Sequence, residues 1–130
     1  DSTTSNAREA FAVILVDTSV WIDHLRVANV KLGALLYDGQ VCCHSFVIGG
    51  LACGHLRRRD EFLALLANLP RIAVVSDEEI MRLIEVHRLM GEGLGWTDVH
   101  LLAAAAAEPA QLWSRDRRLL AAANRLGVGI

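Results

Sequence analysis

The chain is poor in the features that usually announce a class. It has two prolines, three cysteines, a single lysine (Lys31) and only 5% aromatic residues. The cysteines, with Cys42 and Cys43 adjacent, do not form a disulfide framework and suit a reducing cytoplasm. No apolar run reaches the ~18 residues that a membrane span needs. The polar start DSTTSNAREA lacks a secretory pattern. A formal net charge of −2 gives no global sign of nucleic-acid binding, so any such signal must be local.

What is present points to one folded domain. The 130 residues are 53% hydrophobic and 22% charged, a globular balance, and they suffice for a core without staples. Residues 1–10, with the small polar run Ser2–Asn6, read as a tail or cloning remnant, and residues 11–130 as a single domain.

Strand-like and helix-like segments alternate. Phe11–Val16 is a continuous apolar run of strand length, as expected for a buried parallel strand. Val41–His44, Ile72–Val75 and Gln111–Ser114 are further short strands, with Val128–Ile130 as a closing one. Helical patterns cover Thr18–Arg26, Lys31–Tyr37, Ser45–Arg59, Glu61–Leu69, Ser76–Met90, Thr97–Glu108 and Arg117–Arg125. Ser76 and Glu79 have capping-box spacing, and Gly91 is placed to end that helix. The alternation predicts an α/β fold whose mostly parallel sheet is covered on both faces.

Three carboxylates carry the chemistry. Asp17 and Asp116 each follow a strand, and Asp98 opens a helix. Singly, each has an ordinary reading as an N-cap or a first-turn acid. Together they fall at the strand-end edge where parallel α/β sheets gather active sites. Clustered carboxylates repel, and Mg²⁺ or Mn²⁺ would resolve that conflict with hard oxygen ligands. Hydrolysis of a phosphodiester is the chemistry such an ion favours.

The segments FAVILVDTSVWIDHLR, FVIGGLACG, GLGWTDVHLLAAA and LWSRDRRL resemble, in order and spacing, the motifs of PIN domains, and most closely the VapC-type toxins of toxin–antitoxin pairs. The resemblance spans residues 11–130 and implies a PIN-like three-layer α/β/α sandwich with a short, mostly parallel sheet. It implies a metal-dependent endoribonuclease acting on structured RNA such as tRNA or ribosomal RNA, a homodimer, and a small antitoxin partner in a bacterial cytoplasm. Asp17, Asp98 and Asp116 match the family's metal-binding acids, and Ser19 a supporting hydroxyl.

Gly50 departs from that pattern. The family's second motif carries a Glu where this chain reads Val47-Ile48-Gly49-Gly50-Leu51, and no acid lies between Gln40 and Arg59. Two glycines inside a helical pattern conflict with helix propensity at roughly 1 kcal/mol each. Close backbone packing is the structural alternative. Loss of the Glu, in nature or by design, is the preferred reading, and it predicts a folded chain with reduced or absent cleavage.

Other candidates are weaker. Arg115, Arg117 and Arg118 flank Asp116 and suit phosphate contacts, as does Arg26 at a greater remove. Arg57, Arg58 and Arg59 read equally as cations closing a helix. Cys42, Cys43, His44, Cys53 and His55 lack zinc-site spacing. His24, His87 and His100 read as packing or surface residues, and Trp21, Trp96 and Trp113 as core. Two further functions compete: a non-catalytic PIN-like module that binds an antitoxin or RNA, and a phosphate-accepting receiver domain. The receiver would need paired early acids and a late lysine, whereas Lys31 is far from the end.

Overall fold

The computed structural model describes residues 13–130, so the expected tail and the first two residues of the opening strand, Phe11 and Ala12, lie outside the described residues. Strand β1 (Val13–Val16) lies between β2 (Val41–Cys42) and β3 (Ala110–Trp113). Both pairings are parallel, with Ile14 opposite Val41 on one side and Gln111 on the other. Ile14, Leu15 and Val16 are all buried, so both faces of β1 are covered, as a continuous apolar run requires. The fold is the PIN-like α/β/α type.

Seven helices flank this sheet among the described residues: α1 (Thr18–Arg26), α2 (Val30–Tyr37), α3 (Ser45–Ala52), α4 (Arg59–Ala67), α5 (Asp77–His87), α6 (Trp96–Ala107) and α7 (Arg117–Arg125). Helix α6 is the interior one. Val99 to Ala105 are consecutively buried, and a helix apolar all round must be enclosed. Its alanines are small enough to let it sit against β3 and α5.

Several boundaries differ from expectation. The Ser45–Arg59 helix breaks after Ala52, because Cys53 and Gly54 turn and Arg58 takes a left-handed backbone conformation (φ 50°) before α4. The three arginines therefore open α4 rather than close α3. The Arg59 guanidinium still donates back to the Ala52 carbonyl at 2.8 Å, satisfying an α3 end group. Ser76 caps α5 by accepting the Glu79 N–H at 3.3 Å, as its spacing indicates. At the other end Arg88, not Gly91, takes the left-handed cap position (φ 54°).

Ile72–Val75 is not a strand. Arg71 makes one bridge with Cys43 and the chain then leaves the sheet edge; Ile72 is buried, Val75 packs partly against the core, and Val74 is exposed. Val128–Ile130 likewise contributes a single bridge, from Gly129 to Leu112. Of the three tryptophans only Trp21 is core. Trp113 is half-buried under the Lys31 ammonium, 4.9 Å from its ring, and Trp96 is exposed.

Candidate active site

The sheet order fixes where chemistry can collect. The chain runs from β1 outward to β2, then crosses back to β3 on the other side, so the switch point lies between the C-terminal ends of β1 and β3. Each of those ends leads to an aspartate that caps the next helix. Asp17 Oδ1 accepts the Thr18 N–H at 2.8 Å. Asp116 Oδ1 accepts the N–H groups of Arg118 and Leu119 at 2.9 and 3.1 Å. The capping reading is therefore correct for both. It leaves Asp116 Oδ2 without a hydrogen-bond donor among the described residues.

Asp98 sits in the first turn of α6, where its Oδ2 accepts the Gly95 N–H at 2.9 Å. Burial raises its pKa above the ordinary carboxylate value. The negative charges of Asp17 and Asp116 push the same way, against the Gly95 N–H. That influence on Asp98 is the electrostatic sign that all three acids share one edge. Among the described residues, though, no three His, Cys, Asp or Glu side chains already stand as a ready metal cluster.

Two serines tie the edge together. Ser19 and Ser114 both donate to Asp17 Oδ2, at 3.0 and 2.7 Å. Ser114 accepts the Asp116 N–H at 3.0 Å, and Ser19 accepts the Arg115 N–H at 3.0 Å. Ser19 thus hydrogen-bonds the aspartate two residues before it. Ser114 links Asp17 to Asp116, a connection that sequence reasoning misses, although its position two residues before Asp116 is an available signal. Arg115 turns away from the acids into an ion pair with Asp23 at 2.7 Å. Arg117 and Arg118 are exposed and make no ion pair among the described residues. The Arg118 side chain lies over Gly93, where a Cβ would meet its guanidinium at 2.6 Å. Gly93, at φ +77°, thus has a backbone reason to be glycine.

Gly50 faces open space: an added Cβ would meet nothing within 4 Å. Close backbone packing is therefore not its reason. With Thr18, the residue that follows Asp17, it lines a groove of about 500 Å³ between α1 and the α3–α4 segment. Arg26 lines the same groove.

The PIN domain family matches residues 14–125. The chain is also 49% identical over 119 residues to Ribonuclease VapC32 of Mycobacterium tuberculosis, from strains CDC 1551 / Oshkosh and ATCC 25618 / H37Rv alike, covering 91% of this chain and 96% of the relative. The chain belongs to the PIN-domain family. Its likeness to this ribonuclease covers nearly its whole length.

A divalent cation is the group this PIN domain implies, and the donor set fits one. Asp17, Asp98 and Asp116 offer only hard oxygens, and Asp98 Oδ1, like Asp116 Oδ2, receives no hydrogen bond from a described residue. Zinc does not fit the Cys/His group. His44 Nδ1 accepts the Phe46 N–H at 3.0 Å, so in the neutral ring Nε2 holds the proton and is no ligand. Burial pushes the Cys42 thiol up to about 12 and the Cys43 thiol to about 11, which keeps both protonated. His44 and His100 are core residues of this PIN domain, stacked edge-on with Phe46, and Trp96 covers His100.

Proposed function

We propose that this chain is a VapC-type endoribonuclease toxin whose cleavage is impaired at Gly50. The observation that carries the reading is the meeting of Asp17 and Asp116 at the switch point, with Asp98 close enough to share their charge. Asp17, Asp98 and Asp116 would hold Mg²⁺ or Mn²⁺. When bound, the ion supplies Lewis acidity and charge neutralisation for phosphodiester hydrolysis.

The chain's own groups do the rest. Ser19 and Ser114 fix Asp17 so that it faces the edge in one rotamer, a positioning role for both. Arg117 and Arg118 offer positive charge for RNA phosphates beside Asp116, and Arg26 does so from the groove. Structured RNA is the substrate class. A cognate antitoxin and a second copy of the chain are the protein partners, and the exposed Val30 and Tyr37 on one face of α2 supply apolar surface for such contact. Three unpaired thiols suit the bacterial cytoplasm, and no described helix is long and apolar enough to cross a membrane.

Gly50 leaves three acids where four are expected, which weakens the attraction for a second positive charge. The reading is tested by incubating structured RNA with this chain and its Gly50→Glu variant, each with Mn²⁺ and each with a chelator. Metal-dependent cleavage by the variant alone supports a disarmed four-acid nuclease. Equal cleavage by both removes Gly50 from the account. Silence from both favours the competing reading, a PIN module that binds RNA or antitoxin without cutting.

A further inference from the structure

Trp96 opens α6 and stays 46% exposed, although burying an indole is among the larger gains open to a fold. It rests on His100 one turn along the helix, with ring centroids 4.9 Å apart and planes at 78°. His100 is buried, so the indole is backed by a fixed ring while much of its surface stays open. Asp98 holds the start of the same helix by accepting the Gly95 N–H at 2.9 Å. Helix geometry puts the Trp96 and Asp98 Cα atoms about 5.5 Å apart, on different sides of the first turn. Gly95 and Thr97 beside them are exposed too. From α7, the Arg118 guanidinium lies over Gly93 in the loop that leads to Trp96, while the Arg118 N–H donates to Asp116. A guanidinium, a carboxylate and an open ring thus border one loop and its first helical turn.

We propose that Trp96 is the platform on which an unpaired purine of the substrate stacks, one nucleotide from the phosphate held at the acids. The proposal deepens the ribonuclease reading above and rests on it. The strand crosses the exposed first turn of α6, its phosphate beside Asp98 and Arg118 and the adjoining base over Trp96. Stacking needs a single open ring face. A protein partner would need a contiguous apolar patch, and the exposed neighbours Gly95 and Thr97 provide none. Purines present the larger face to a ring, and a base inside a duplex has its faces already covered by its neighbours. Stacking releases no counterions, so it adds affinity without adding to salt dependence. Trp96 therefore selects unpaired positions of a structured RNA, whereas the arginines act on any phosphate.

The probes are oligoadenylate, oligouridylate and an RNA duplex of the same length, bound to chelated protein so that nothing is cut. The parent chain should prefer oligoadenylate to oligouridylate. Trp96→Leu should weaken oligoadenylate binding ~10-fold, leave the duplex unaffected and keep the salt slope of the parent. Trp96→Phe keeps a ring and should recover most of the loss, with circular dichroism confirming both folds. Oligoadenylate should also quench the fluorescence of the parent chain but not that of Trp96→Phe, which retains Trp21 and Trp113. Should Trp96→Leu not fold, the quenching and the Trp96→Phe affinity decide the matter. Equal losses on oligoadenylate and duplex, a flattened salt slope, or quenching that survives in Trp96→Phe would overturn the proposal. So would oligoadenylate binding that both variants leave unchanged; that result leaves the ribonuclease reading standing. A parent chain that binds none of the three RNAs overturns that reading, and this inference with it.

Discussion

The Ser114 hydroxyl donates to Asp17 Oδ2 at 2.7 Å across 97 residues of sequence. The Ser114 Oγ also accepts the Asp116 N–H, so one buried side chain fixes both strand-end aspartates relative to each other. Asp17 is itself buried, and its carboxylate depends on such donors in place of water. Ser114→Ala removes a donor from a buried charge and should lower folding stability by about 1–3 kcal/mol in urea titrations. It should also weaken Mn²⁺ binding ~10-fold, since Asp17 loses its orientation. Ser114→Thr keeps the hydroxyl and should recover metal binding even if its extra methyl lowers stability. Recovery of neither would remove the positioning role.

Gly50→Ala should raise stability by up to ~1 kcal/mol, because Ala is the better helix former and its Cβ meets no neighbour. Chemical denaturation of the two proteins decides it. A lower midpoint would mean that α3 needs backbone freedom at this position.

Why Gly50 stands out in the sequence, and Ser114 does not, shows what a sequence makes legible. The β1 and β3 strands, the order of elements and the three aspartates all rest on local apolar runs and on the residues ending them. In β1 that signal survives folding because the strand is buried on both faces. Ile72–Val75 fails as a strand because apolar composition alone does not say whether a neighbour exists to pair with beyond one bridge. The split of Ser45–Arg59 depends on Arg58 adopting a left-handed conformation, which nothing in an arginine run announces. Ser114 acts only through Asp17 and Asp116, and the first of these is far away in sequence. The turning of Arg115 onto Asp23 is likewise a tertiary choice.

Asp98 should destabilise the metal-free fold at neutral pH. Its folded pKa is raised above 3.8 by burial and then by Asp17 and Asp116. The stabilising contribution of its protonated form is full below 3.8 and disappears as pH rises through the folded value. Asp98→Asn keeps an oxygen for the Gly95 N–H while removing the charge. Its melting temperature at pH 7 without metal should therefore exceed that of the parent chain, and its Mn²⁺ affinity should fall. A variant less stable at pH 7 would show that the Gly95 hydrogen bond outweighs the repulsion.

His44 gives the opposite slope. Burial, and then the neighbouring His100, holds its pKa below 6.5. The unfolded chain takes up that proton near 6.5, whereas the folded chain does so only at lower pH. Stability is full above 6.5 and declines as pH falls through the folded value. His44→Asn retains a side-chain oxygen suited to capping the Phe46 N–H and cannot titrate. Melting temperatures recorded downward from pH 7 should fall less steeply for His44→Asn than for the parent chain. Parallel curves would assign the acid sensitivity elsewhere.

The arginines should separate by how their charge is already used. Arg115 is committed to Asp23, an exposed pair that RNA must break before a phosphate can take the place of the carboxylate. Arg118 lies over Gly93 and carries no competing ion pair among the described residues. For each phosphate no longer neutralised by a cation, the dependence of log K on log salt concentration falls by roughly 0.7 for single-stranded regions and 0.9 for duplex. Arg118→Gln should therefore flatten the salt dependence of RNA binding by nearly one unit of slope, while Arg115→Gln should change it much less. The comparison is best made in the chelated protein, where binding is read without cleavage or bound metal. If Arg115→Gln flattens the slope as much as Arg118→Gln, the Asp23 pair opens on RNA binding, and both arginines touch phosphate.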